Sequence, residues 1–170
     1  MSSSKLSYIG LVNPKSPVNV ASVLRGAGCF NASAVYYTGE RYTRAREFYA
    51  DTKDVHKQIP VEAVPDLQQV IPEGAKVVVI ELVEGAIPLP EYQHPANAFY
   101  IFGPEDGSVP ASLVARADDV VYVPTTGCMN LAATANVVLY DRLAKSQYQH
   151  GDELIRASRD RNNQLRTGKS

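Results

Sequence analysis

"KVVVIELV", residues 76–83, decides the fold. Val77, Val78, Val79 and Ile80 are all β-branched, and such side chains pack well on a pleated surface. The run does not alternate with polar residues. A strand apolar on both faces belongs inside a parallel sheet covered on both sides. Parallel neighbours need crossover connections, usually helical. The flanking sequence supplies them.

Toward the amino end, "LSYIGLV" (6–12) reads as a strand and "NPKSP" as a loop. Ser16 suits an N-cap and Pro17 the first helical position, so a helix runs to about Cys29. "ASAVYY" (32–37) is a further strand. The polar, basic stretch 39–54 reads as a short helix or a loop. "IPVEAV" gives a short strand and "PDLQQVI" a short helix.

Toward the carboxyl end comes a proline-rich loop, "PLPEYQHPANA". "FYIFG" is a strand, 109–117 a short helix, and "DDVVYVP" a strand ended by Pro124. The longest helix spans about Met129 to Lys145. The tail 151–170 is polar with a basic bias and is expected to fray or be partly disordered. Alternating strands and helices predict an α/β fold, a mostly parallel sheet with helices on both faces. One domain over 1–150 carries it.

The chain has 170 residues, 45% apolar and 21% charged, with net charge −1. That is a globular composition with no overall field for nucleic acid, so any RNA contact must use local patches. Cys29 and Cys128 form no CxxC pair, and His56, His94 and His150 form no metal or catalytic set. No metal is expected. The start does not read as a signal peptide, and no apolar run approaches the roughly 20 residues needed to span a bilayer. The expectation is a cytoplasmic protein with no membrane partner.

Several stretches carry candidate chemistry. "YIFGPEDGSVP" (100–110) runs from strand into a turn free of bulk. Pro, Asp and Gly form turns by themselves. Equally, Gly103 and Gly107 would let a flat ligand approach the backbone at the carboxyl end of a strand, where such sheets bind ligands. Arg25 is placed in the last turn of its helix, either complementing the dipole or aimed at a phosphate. Asn130 begins the long helix and serves at least as a cap. That helix is apolar on several faces, which fits a core helix or a subunit interface. Cys128 reads as a buried or pocket-lining cysteine rather than a nucleophile, because no histidine is near it in sequence. "RYTRAR" sets Arg41, Arg44 and Arg46 around Tyr42, which suits RNA through phosphate contact and stacking, or is a solvated helix face.

Three stretches taken in order resemble the SpoU (TrmH-like) branch of the SPOUT RNA methyltransferases. Asn19 and Arg25 in "NVASVLRGAGCF" are similar to the first motif. "IFGPEDGSVP" is similar to the Gly-x-Glu-x-x-Gly motif, with Gly107 one residue early. "VPTTGCMNLAATANVVLYD" is similar to the third motif, with Cys128 where serine is common and a short loop before it. Together they span about residues 8–145.

The resemblance implies a trefoil-knotted carboxyl part and S-adenosyl-L-methionine as cofactor. Leu82, Gly103, Val123, Cys128 and Met129 would hold it, largely through the backbone. It implies a homodimer packed partly through the last helix. The implied reaction is methyl transfer to a ribose 2′-hydroxyl of tRNA or rRNA, the alternative being a non-catalytic RNA-binding member. Arg25, with a target phosphate, would activate the hydroxyl, and Asn19 would fix the loop beside it. Glu105 would steady the cofactor loop, and Asn130 would hold the third turn. RNA would be gripped by Arg41, Tyr42, Arg44 and Arg46 and by the tail arginines Arg156, Arg159, Arg161 and Arg166.

Overall fold

The computed structural model describes residues 5–47 and 59–168. Seven strands form one sheet: β1 (Ser7–Leu11), β2 (Ala34–Tyr37), β3 (Val61–Ala63), β4 (Lys76–Ile80), β5 (Ile87–Pro88), β6 (Ala98–Phe102) and β7 (Asp119–Tyr122). Their order is β3-β2-β1-β6-β4-β7-β5. Every pairing is parallel. The helices are α1 (Pro17–Cys29), α2 (Arg41–Arg46), α3 (Ala111–Arg116), α4 (Leu131–Ala144) and α5 (Asp152–Ser158).

The inner strands are buried on both faces, as the "KVVVI" run requires. Val78, Ile80, Tyr100 and Phe102 pack with α1 and α4 residues such as Val20, Leu24 and Val138. Val77, Val79, Phe99 and Ile101 face the other way, against Leu67, Val109 and Leu113. The period of two along β4 and β6 thus feeds two separate cores.

α1 starts as the sequence predicts. The Ser16 hydroxyl accepts the Asn19 amide N–H at 3.2 Å, and Pro17 takes the first helical position. Arg25, however, sits before the last turn, which holds no basic residue. Its proposed complement to the helix dipole therefore does not arise.

Other boundaries differ from expectation. β4 stops at Ile80, where Glu81 turns the chain: its carboxylate accepts the Leu82 N–H at 2.9 Å, and its carbonyl accepts the Val83 N–H at 3.0 Å. The proline-rich loop contains β5 and a 3-10 turn at Leu89–Glu91. Pro88 is tolerated because β5 lies at the sheet edge. The tail contains α5, which buries no residue. The part of the 39–54 expectation beyond residue 47 and His56 lie outside the described residues.

α4 is tied to the sheet by polar bonds as well as apolar packing. Arg142 donates to the carbonyls of Leu6, Pro95 and Ala96 and to the Tyr100 hydroxyl. His94 stands between the Tyr100 hydroxyl, at 2.6 Å, and Asp141, at 2.7 Å. Asp141 is held also by Lys145, at 2.8 Å. A carboxylate only accepts, so Nε2 of His94 donates to Asp141, and in the neutral ring Nδ1 then accepts from Tyr100.

Candidate active site

β4, β6 and β7 end side by side, and the loops leaving them surround a cavity of about 400 Å³. This is the carboxyl edge of the parallel sheet, where such folds bind ligands. The buried side chains of Ile80, Phe102 and Leu131 form an apolar floor. Leu82, Gly103, Val123, Cys128 and Met129, the five expected cofactor residues, all line the cavity, as do Asn19, Glu105 and Asn130.

Glu105 joins the first motif to the second. Its carboxylate accepts the amide N–H of Lys15 at 2.9 Å, that of Ser16 at 3.0 Å, and the Asn19 side-chain amide at 3.4 Å. These donors surround the amino end of α1, where a negative charge is favoured. Burial pushes the Glu105 pKa up, but the N–H groups of Ser16, Glu105 itself and Lys15, with the Asn19 amide, outweigh it and hold the carboxyl below its ordinary range. Asn19 is therefore fixed by Glu105, across 86 residues of sequence.

Glu81 is a site residue that the motifs do not indicate. It lines the cavity, and its second carboxylate oxygen accepts the Val109 N–H at 3.0 Å. It thus links the loop after β4 to the loop after β6. The available signal was the acid closing an otherwise apolar run.

The third loop is set by local bonds. Asn130 is the N-cap of α4, its side-chain oxygen accepting the Ala133 N–H at 2.8 Å. The Thr125 hydroxyl donates to the Gly127 carbonyl at 2.5 Å. Cys128 is a free, exposed thiol on the cavity wall. Among the described residues no group of His, Cys, Asp and Glu is arranged to hold a metal.

The expected basic residues fall elsewhere. Arg25 is exposed and is not part of the cavity lining of its own chain. It shares an outward stripe of α1 with Val18, Ser22 and Cys29. Tyr42 is 1% exposed and packs edge-on against Tyr37, with ring centroids 5.0 Å apart. A ring so buried cannot stack on a base, which corrects its assignment as an RNA contact. Arg41 is engaged by both oxygens of Asp106, at 2.7 and 2.9 Å, and by the Asn13 carbonyl. Both of its terminal nitrogens are thus engaged within the protein, while its buried Nε has no hydrogen-bond partner among the described residues. Arg44 pairs with Glu40, and the Arg46 guanidinium stands 5.8 Å from the centre of the Tyr42 ring.

The family model for the SpoU rRNA Methylase family matches residues 7–140. Solved structures agree on the fold. The SpoU methyltransferase AviRb from Streptomyces viridochromogenes superposes with a TM-score of 0.68 at 16% identity, over 82% of this chain and 59% of its own. A protein described for the 2-OH methylation of C/U34 on tRNA gives 0.71 at 19%, over 85% of this chain and 93% of its own. An AdoMet-bound rRNA methyltransferase from Sinorhizobium meliloti gives 0.69 at 18%, over 86% of this chain and 59% of its own. The chain therefore spans less than two thirds of two of these three. No curated protein matches by sequence.

Proposed function

The chain belongs to the SpoU rRNA Methylase family, and on that footing we propose that it is an S-adenosylmethionine-dependent methyltransferase acting on a ribose 2′-hydroxyl of tRNA or rRNA. The observation that carries the reading is the cavity at the carboxyl edge of the sheet, built from the loops after β4, β6 and β7, of which the second and third motifs supply the last two, with Asn19 of the first motif on its lining. Its volume is in the range of small-molecule sites. Its apolar floor of Ile80, Phe102 and Leu131 suits a nucleobase, and its rim offers bare backbone and carboxylates. One solved neighbour is AdoMet-bound, and the residues here fit the same group. The reading includes a trefoil threading of the carboxyl part, in keeping with three loops meeting at one cavity.

The cofactor supplies an electrophilic methyl group. The chain's own residues hold the site and prepare the hydroxyl. A ribose hydroxyl is a poor nucleophile and needs its developing charge stabilised. Arg25 is locked as a cation and is not the base. From its exposed stripe it meets a phosphate of the incoming RNA and places the hydroxyl, the proton passing toward that phosphate. Asn19 keeps the amino end of α1 in register through Glu105. Asn130 holds the turn that carries Cys128 and Met129.

The active form is a homodimer packed partly through α4. Tyr140 is 61% exposed, and Val137 and Leu143 add apolar surface on the same helix. Such a patch calls for a cover. RNA is gripped by the dimer, with Arg44, Arg46 and the tail arginines as the remaining cationic contacts.

The experiment is transfer of labelled methyl from S-adenosylmethionine to RNA, followed by alkaline hydrolysis. A methylated 2′-oxygen cannot attack the adjacent phosphate, so ribose methylation leaves label in alkali-resistant dinucleotides. Label in mononucleotides would place the methyl on a base. No transfer to any RNA, despite tight cofactor binding, would remove the enzyme.

A further inference from the structure

Resting on that reading of the cavity, we infer that Glu81 accepts hydrogen bonds from the ribose hydroxyls of the bound cofactor and sets the site's demand for a ribonucleoside. Glu81 follows Ile80, one of the floor residues, directly in the chain. One of its oxygens also lies 3.3 Å from where a Cβ on Gly103 would stand, next to Phe102, a second floor residue. Glu81 is therefore the carboxylate beside the apolar floor. Glu105, the other cavity carboxylate, is committed to Lys15, Ser16 and Asn19.

In a nucleoside the sugar is bonded to the base. A base lying on the floor brings its vicinal diol to the neighbouring polar group. The diol offers two donors and needs acceptors. Each Glu81 oxygen already accepts one N–H, from Leu82 at 2.9 Å and from Val109 at 3.0 Å. An ionised carboxylate has about four lone-pair sites, so one on each oxygen is left. The two amide bonds also fix the carboxylate's orientation before ligand arrives, which lowers the cost of using it. A carboxylate reading a ribose diol is known chemistry in other nucleotide sites.

The test compares S-adenosylhomocysteine with its 2′-deoxy and 3′-deoxy analogues by calorimetry, on the wild type, Glu81→Gln and Glu81→Ala. Losing a hydrogen bond to a charged acceptor costs affinity by about 10- to 100-fold. Wild type is expected to bind at least one deoxy analogue weaker by that factor. Glu81→Ala is expected to bind all three ligands weakly and nearly alike, since the acceptor is gone, and Glu81→Gln, which keeps one neutral acceptor oxygen, to fall between it and the wild type.

Equal affinity of the wild type for all three overturns the inference without touching the proposed function, and this comparison needs no variant to fold. Full deoxy discrimination kept in folded Glu81→Ala overturns it as well. So does a variant that loses S-adenosylmethionine but keeps S-adenosylhomocysteine, because the carboxylate would then answer the sulfonium charge. Absence of S-adenosylhomocysteine binding by the wild type removes the reading of the cavity and the inference with it.

Discussion

Gly103 and Val109 approach so closely that a Cβ on Gly103 would stand 3.0 Å from the Val109 amide nitrogen. It would also lie 3.2 Å from the Ser108 carbonyl carbon and 3.3 Å from a Glu81 oxygen. The protein's own loop thus leaves little room for a side chain at the end of β6. Gly103→Ala is expected to destabilise the ligand-free protein by about 1–3 kcal/mol, the usual cost of overpacking, and to weaken cofactor binding by moving Val109 away from Glu81. Urea unfolding without ligand reads the first effect. Unchanged stability with lost binding would mean that the glycine serves the ligand alone.

Arg25 lies outside the cavity that Asn19 lines, although both belong to α1. Along a helix six residues span about 9 Å. Arg25→Ala is therefore expected to leave S-adenosylhomocysteine affinity within about twofold while lowering methyl transfer by about 100-fold or more, the scale for removing one charge-stabilising group. Equal loss of both would place Arg25 in the cofactor site. Loss of neither would take it out of the reaction.

The residues that were easy to read in sequence were those whose cause is local. The "KVVVI" run, the Ser16-Pro17 start and the Asn130 cap act within a few positions, and each appears where expected. The second and third motifs converge because a parallel sheet delivers its strand ends to one edge. The rest depends on long-range partners. Tyr42 sits among arginines in a six-residue helix, a pattern that looks exposed, and packing against Tyr37 and the core around it buries it. Arg41 resembled a free cation because Asp106 is 65 residues away. Glu81 carried no motif, since its role comes from the Val109 amide on another loop. β5 hid in a proline-rich stretch, as a two-residue edge strand has no room for a pattern.

Glu105→Gln keeps the shape of the side chain and removes its charge. The N–H bonds from Lys15 and Ser16 then lose their ionic partner, and exposure limits the cost to about 1 kcal/mol at neutral pH. The folded carboxyl titrates below its ordinary value of 4.5. Its stabilisation is therefore complete above that value and is lost as pH falls through the depressed one. Urea midpoints of wild type and Glu105→Gln should differ at pH 7, and the gap should narrow as pH falls below the ordinary carboxylate range and the folded carboxyl protonates. A gap that widens as the pH falls would show that the carboxylate charge is not what separates the two proteins.

His94 gives a second pH dependence in a separate window. Burial lowers its pKa below the ordinary 6.5, with the Arg142 and Lys145 charges adding to that effect; the bond and charge of Asp141 oppose them without prevailing. The folded state thus keeps the ring neutral while the unfolded chain protonates it near 6.5. Stability from this group is complete above that pH and declines as pH falls below it, because the unfolded state then binds more protons. The bond pattern is compatible with a neutral ring: Nε2 donates to Asp141, and Nδ1 can accept from the Tyr100 hydroxyl, whose oxygen accepts from Arg142. Unfolding free energies measured between pH 7.5 and 5 should fall for wild type by less than the single-proton limit of about 1.4 kcal/mol per unit. In His94→Gln, less stable at pH 7.5, most of that fall should disappear. A slope that survives the substitution would assign the proton to another group, and one that reverses would mean that the folded protein accepts a charged imidazole between Tyr100 and Asp141.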